Sequence, residues 1–190
     1  NITRKVADEL LKATGNTVKS LQKGINKTKR PMSLIVPGVN LSLTVGLKEI
    51  IENARNVIGI VDGSDPKLKD EIILIGAHYD HLGMGGEGSL KPDTVAIHHG
   101  ADDNASGTSG MLELAQAFAV AKSSLKRSVV FIAFTGEEEG LLGSGFYVKH
   151  PILPLEKTVT MLNMDMIGRL NNKALIVYGI GTSQGFESLV

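Results

Sequence analysis

Two apolar runs constrain this chain most: Ile72–Ala77 (Ile-Ile-Leu-Ile-Gly-Ala) and Ser128–Phe134 (Ser-Val-Val-Phe-Ile-Ala-Phe). A strand with one face in water alternates apolar and polar residues. An unbroken run reads instead as a strand buried on both faces, as in a parallel sheet covered by helices. Around these runs the pattern alternates between strand, loop and helix. Asn56–Val61 reads as a short strand closed by Asp62-Gly63-Ser64-Asp65-Pro66, and Val159–Met166 and Lys173–Tyr178 as two more. Ser106–Lys122 carries Met111, Leu114, Ala115 and Phe118 on one helical stripe, and Leu141–His150 is helical until Pro151. The fold class that follows is α/β, with a mostly parallel or mixed central sheet and helices on both faces.

The first third is less regular. Thr3–Ala13 predicts a helix ended by Gly15, Thr17–Arg30 is basic with little periodicity, and Leu34–Val45 alternates loosely enough for one or two strands. The whole chain has 190 residues, 42% of them hydrophobic, enough for one domain with a sizeable core. Lys plus Arg equals Asp plus Glu at 20 each, which gives no electrostatic case for a nucleic-acid or anionic-membrane partner. No apolar stretch approaches the ~18 residues of a membrane span. The absence of cysteine excludes disulfides, thiolate metal sites and a cysteine nucleophile.

Polar clusters fall where the strands end. Ile72–Ala77 runs into His78-Tyr79-Asp80-His81, Ser128–Phe134 into Gly136-Glu137-Glu138-Glu139, and Asp165 lies near the end of the 159–166 strand. A fourth cluster, Asp102-Asp103-Asn104, opens the 106–122 helix. Ligands in open α/β sheets bind beyond the carboxyl ends of strands, so these groups are expected to share one crevice. One imidazole with several carboxylates suits a Zn-type divalent ion, and acids so close together repel unless a pair of cations compensates them. Asp102 and Glu139 fit solvated loop acids, and His98, His99 and His150 fit surface positions. His81 stays open between the two readings. Adjacent acids directly after a buried strand, as at Glu137 and Glu138, are poorly explained by solvation.

At these residues the sequence resembles the M28 family of zinc peptidases, aminopeptidases with a phosphorylase/hydrolase-like fold. The matching stretches are Gly76-Ala77-His78-Tyr79-Asp80, Gly100–Gly107 (Gly-Ala-Asp-Asp-Asn-Ala-Ser-Gly), Gly136–Ser144 (Gly-Glu-Glu-Glu-Gly-Leu-Leu-Gly-Ser) and Asn163–Gly168 (Asn-Met-Asp-Met-Ile-Gly). The resemblance implies a two-zinc site in the complete protein, with peptides as substrates. His78 and Asp165 would bind one ion and Glu138 the other, and Asp103 would bridge them, with the Asp103–Asn104 peptide often cis. Asp80 would hydrogen-bond the His78 ring and fix its tautomer. Glu137 would be the general base that takes a proton from the attacking water.

The family's fifth ligand, a histidine well downstream of the Asp165-type residue, has no counterpart after His150. The resemblance therefore implies truncation at Val190 and weak or absent activity for this stretch alone. Residues 1–50 weakly resemble the end of a protease-associated insert, with the catalytic domain at 51–190, and the parent is expected to be secreted or periplasmic. Two other readings carry the same fold: a single-zinc glutaminyl cyclase, and a non-catalytic binding or receptor ectodomain. The intact motifs favour the two-metal hydrolase.

Overall fold

The computed structural model describes residues 2–40, 42–49, 51–86, 88–170 and 173–190. The chain divides into two compact units, Asn1–Ile51 and Glu52–Val190. In the first unit, α1 (Arg4–Leu11) starts at Thr3, whose side chain accepts from the Val6 N–H, and a further short turn ends at left-handed Gly15. The Thr17–Arg30 stretch forms a helix its weak periodicity does not suggest, α2 (Val18–Thr28). Its start is fixed by polar groups. Thr17 and Ser20 cap each other reciprocally, and the Val18 N–H donates to Asp8 of α1 at 2.7 Å. Neither helix has a buried residue. The strands expected in Leu34–Val45 do not form among the described residues, and Leu41 lies outside them. Alternation alone is insufficient where no neighbouring strand accepts the hydrogen bonds.

The second unit is built on β1 (Val57–Val61), β2 (Ile72–His78), β3 (Ser128–Phe134) and β4 (Thr158–Asn163) in the order β1-β3-β2-β4. β3, β2 and β4 are parallel and β1 is antiparallel at the edge, so the sheet is mixed. β2 and β3 run in unbroken register from Ile72↔Ser128 to His78↔Phe134. Their alternate side chains feed two separate cores, which is why neither sequence alternates. On one face Ile75, Ala77, Val129 and Phe131 pack with Met111 of α3 (Gly107–Val120), and on the other Leu74, Val130 and Ile132 pack with Tyr147 of α4 (Leu142–Lys149). Val130 and Ile132 are fully buried, each contributing about 1.5–3 kcal/mol of apolar burial. Ala115 and Phe118 complete the α3 face, whereas Leu114 stays exposed.

Two strand expectations change. β4 stops at Asn163, so Asp165 sits two residues beyond the sheet in an exposed turn. Lys173–Tyr178 forms no strand. Only Ala174 makes a bridge, and Leu175, Ile176 and Val177 are exposed, without a partner strand among the described residues. No helix of the described residues is long and apolar enough to cross a membrane.

Candidate metal centre

His78 is the last residue of β2 and only 3% exposed. Thr108 of α3 donates its hydroxyl to the His78 carbonyl at 2.7 Å, tying the strand end to the helix. The ring Nδ1 lies 3.2 Å from the backbone carbonyl of Asp80. A carbonyl only accepts, so this nitrogen carries the hydrogen and Nε2 is the nitrogen turned toward the acids. Nε2 stands 3.2 Å from Asp103 Oδ1, 3.7 Å from Asp165 Oδ1 and 3.9 Å from Glu137 Oε2. None of these is aligned as a hydrogen bond, and buried Nε2 has no such partner among the described residues. A ring nitrogen buried without a hydrogen bond and facing three carboxylates is unfavourable unless a cation lies between them. A proton would bring one positive charge to three carboxylates, whereas a divalent ion also matches the N and O donor set.

Asp103 comes from an irregular turn, Ala101–Ser106, entered through left-handed Gly100, and its peptide bond to Asn104 is cis. Buried Asn104 spans the two peptide groups beside Asp165. Its Nδ2 donates to the Met164 carbonyl at 3.0 Å and its Oδ1 accepts from the Met166 N–H at 3.3 Å and the Gly107 N–H at 3.0 Å. Gly107 has to lack a side chain here, because a Cβ would run into the Asn104 amide and the Met164 carbonyl. Asp102 accepts from the Gly168 N–H at 2.8 Å and the Arg169 Nε at 2.6 Å, and the Arg169 hydrogen bond is the main reason its carboxyl is held below the usual range. Asp102 thus joins the loop carrying Asp103 to the loop carrying Asp165, which a reading as a solvated acid misses.

A second group shares Asp103 and gathers His81, Asp103 and Glu138, with donor atoms within 4.8 Å of one another. His81 Nδ1 lies 2.7 Å from Glu138 Oε1. The Asp80 carboxylate accepts from the Glu137 and Glu138 N–H groups at 3.0 and 3.2 Å, and its Oδ1 is 3.7 Å from the His78 ring. Asp80 therefore reaches His78 through its main chain and the Glu137–Glu138 turn through its side chain. Burial raises the Glu137 carboxyl, nearby His78 opposes this, and Glu138, Asp165 and Asp80 push it further up. His78, Glu137 and Asp165 line a cleft of about 280 Å³ closed by Phe134, Leu141 and Met161. A larger hollow beside Ile58, Phe146 and Tyr147 gathers no carboxylate cluster and is not this site.

All six residues singled out from the sequence (His78, Asp80, Asp103, Glu137, Glu138 and Asp165) converge here. His99 and Glu139 are exposed, and exposed His150 stacks on Phe146 with ring centroids 4.7 Å apart. His98 is half-buried, its Nε2 3.3 Å from Ser89 Oγ. The three-residue step from His78 to His81, at the end of a buried strand, is the signal that draws His81 into the site.

The sequence profile of Peptidase family M28 matches residues 56–190, which covers the sheet and every residue of the site. The chain belongs to Peptidase family M28. Among its relatives, Aminopeptidase YwaD of Bacillus subtilis (strain 168) is 36% identical over 140 residues, covering 73% of this chain and 27% of that protein. Leucine aminopeptidase 2 of Trichophyton rubrum is 32% identical over 155 residues, covering 80% and 28%. A probable zinc metalloprotease of Pyrenophora teres f. teres is 37% identical over 122 residues, covering 64% and 24%. This M28 chain spans about a quarter of the length of the curated relatives it matches.

Proposed function

We propose that the full-length protein is a two-zinc exopeptidase that releases N-terminal residues from peptides. The observation that carries this reading is the buried Nε2 of His78, unpartnered and facing Asp103, Asp165 and Glu137, with the Glu138 carboxylate within 4.8 Å of Asp103. His78 and Asp165 would hold one ion, Glu138 the other, and Asp103, common to both groups, would bridge them. Residues 1–190 alone should turn over weakly or not at all. Bound cations would polarise the scissile carbonyl and lower the pKa of water.

The remaining steps belong to the chain's own side chains. Glu137, in the cleft and with its carboxyl raised by burial, takes a proton as water attacks the peptide carbonyl. It then returns that proton to the leaving amine as the C–N bond breaks. Asp80 holds the Glu137 and Glu138 main chain so that the two adjacent acids keep separate tasks. The reading includes export of the protein, and residues 1–50 as the close of a protease-associated insert, supported by a break between compact units at Ile51.

The deciding test is Glu137→Gln in the full-length protein, assayed on aminoacyl p-nitroanilides with zinc counted per chain. Turnover should fall by about 10²–10⁴-fold with both zincs retained. Full turnover in the variant would remove Glu137 from this role. One zinc per wild-type chain, with cyclisation of N-terminal Gln, would replace the reading altogether.

A further inference from the structure

We propose that His81 is a positioning residue for the second cation: its Nδ1–H holds the Glu138 carboxylate in place without binding the ion itself. The inference rests on the reading of Glu138 as a metal ligand. Distances separate a ligand from a partner of a ligand. Two donors about 2.0–2.2 Å from a tetrahedral ion stand about 3.3–3.6 Å apart. His78 Nε2 lies 3.2 Å from Asp103 Oδ1 and 3.7 Å from Asp165 Oδ1, spacings that bracket this range. His81 Nδ1 and Glu138 Oε1, at 2.7 Å, are closer than co-ligands and at the length of a charge-assisted hydrogen bond.

The surroundings are built to keep that bond. The two side chains are 21% and 18% exposed, so little water competes for it. Gly100 makes room for the ring: a Cβ there would lie 2.8 Å from His81 Cγ, and the residue already sits at φ 60°. Glu138 is then fastened at both ends, its N–H to Asp80 Oδ2 at 3.2 Å and its Oε1 to His81. Among the described residues Oε2 has no hydrogen-bond partner, and it is the oxygen left for the ion. Asp80 and His81 are consecutive, so the turn that leaves β2 after His78 also sets the geometry of the opposite half of the site.

The test is zinc affinity of the full-length protein, measured by competition with a chromophoric chelator for wild type, His81→Phe and His81→Asn. His81→Phe should weaken one zinc by about 10–100-fold and leave the other within about twofold. His81→Asn, whose amide N–H can stand where Nδ1–H stands, should recover that affinity to within about threefold. Unchanged affinities in His81→Phe would overturn the proposal. So would a His81→Asn as weak as His81→Phe with one imidazole fewer in the zinc X-ray absorption spectrum, which would make His81 a ligand. Matching circular dichroism of the metal-free variants excludes a folding defect, and His81→Asn carries the test if His81→Phe fails to fold. Wild type with fewer than two zincs would defeat the two-metal reading itself and His81's role with it.

Discussion

The two halves of the proposed metal centre are held by different means. His78 is held by the sheet: it ends a strand hydrogen-bonded on both sides, is almost completely buried, and its carbonyl is tied to α3 through Thr108. Glu138, His81 and Asp103 lie in no strand or regular α-helix. Asp103 is placed by the bonds of its neighbours Asp102 and Asn104, and Glu138 lies in a local backbone turn, its N–H held by Asp80 and its carboxylate aimed by His81. A backbone ladder shares its load over many bonds, whereas a carboxylate aimed by one side-chain hydrogen bond loses its aim to one substitution. The His78 half should therefore resist changes around it and fail only when His78 is lost, while the Glu138 half should respond to residues that bind no ion.

The sharpest way to break this contrast is His78→Phe. Removing a ligand should exceed the about 10–100-fold cost of losing a ligand's partner, so one zinc should fall away by more than about 100-fold in equilibrium dialysis. Asn104→Leu comes next and acts on folding. The Met164 carbonyl and the Met166 and Gly107 N–H groups lose their partner, at about 1–3 kcal/mol for each group left buried and unpaired. Urea unfolding of the metal-free protein should show a loss of at least one such step. Asp80→Asn should weaken zinc by about tenfold, the low end for an outer partner because the amide keeps one acceptor. The loss should fall on the zinc that His78→Phe leaves behind. A loss on the His78 zinc would mean that the 3.7 Å approach of the carboxylate to the ring matters more than its two N–H bonds. Smallest is Arg169→Ala: its side chain is 74% exposed, so losing the pair with Asp102 should leave the urea midpoint almost unchanged.

Legibility in the sequence follows the same division. β2 and β3 stand out because burial on both faces leaves no polar residue to interrupt them. The acids after them stand out because nothing else accounts for charge at the end of a buried strand. Features made by single polar bonds are harder to read. α2 depends on Thr17, Ser20 and Asp8 more than on an apolar stripe, and Asp102 is indistinguishable from a loop acid until Gly168 and Arg169 come beside it. Direction is the other hidden quantity: at His81 the residue type is plain, but whether the ring faces solvent or Glu138 depends on the turn. Leu34–Val45 and Lys173–Tyr178 have strand-like composition, yet no described strand pairs with them. The need for a partner is not encoded in the segment itself.

The segment between His81 and Gly100 is pinched at its base. The His98 N–H donates to the Gly83 carbonyl at 2.8 Å and the Ala96 N–H to the Met84 carbonyl at 3.2 Å. Lengthening a loop whose ends are already fastened costs little, about 0.6 kcal/mol for each doubling. Length changes between Ser89 and Ala96 can thus be absorbed while His81 on one side and Asp103 on the other keep their places, whereas Gly85 and Ser89 are tied to His98 at the base. The proposed ligands are fixed below the pinch and the length above it can change, so this loop is where family members can differ without rebuilding that site.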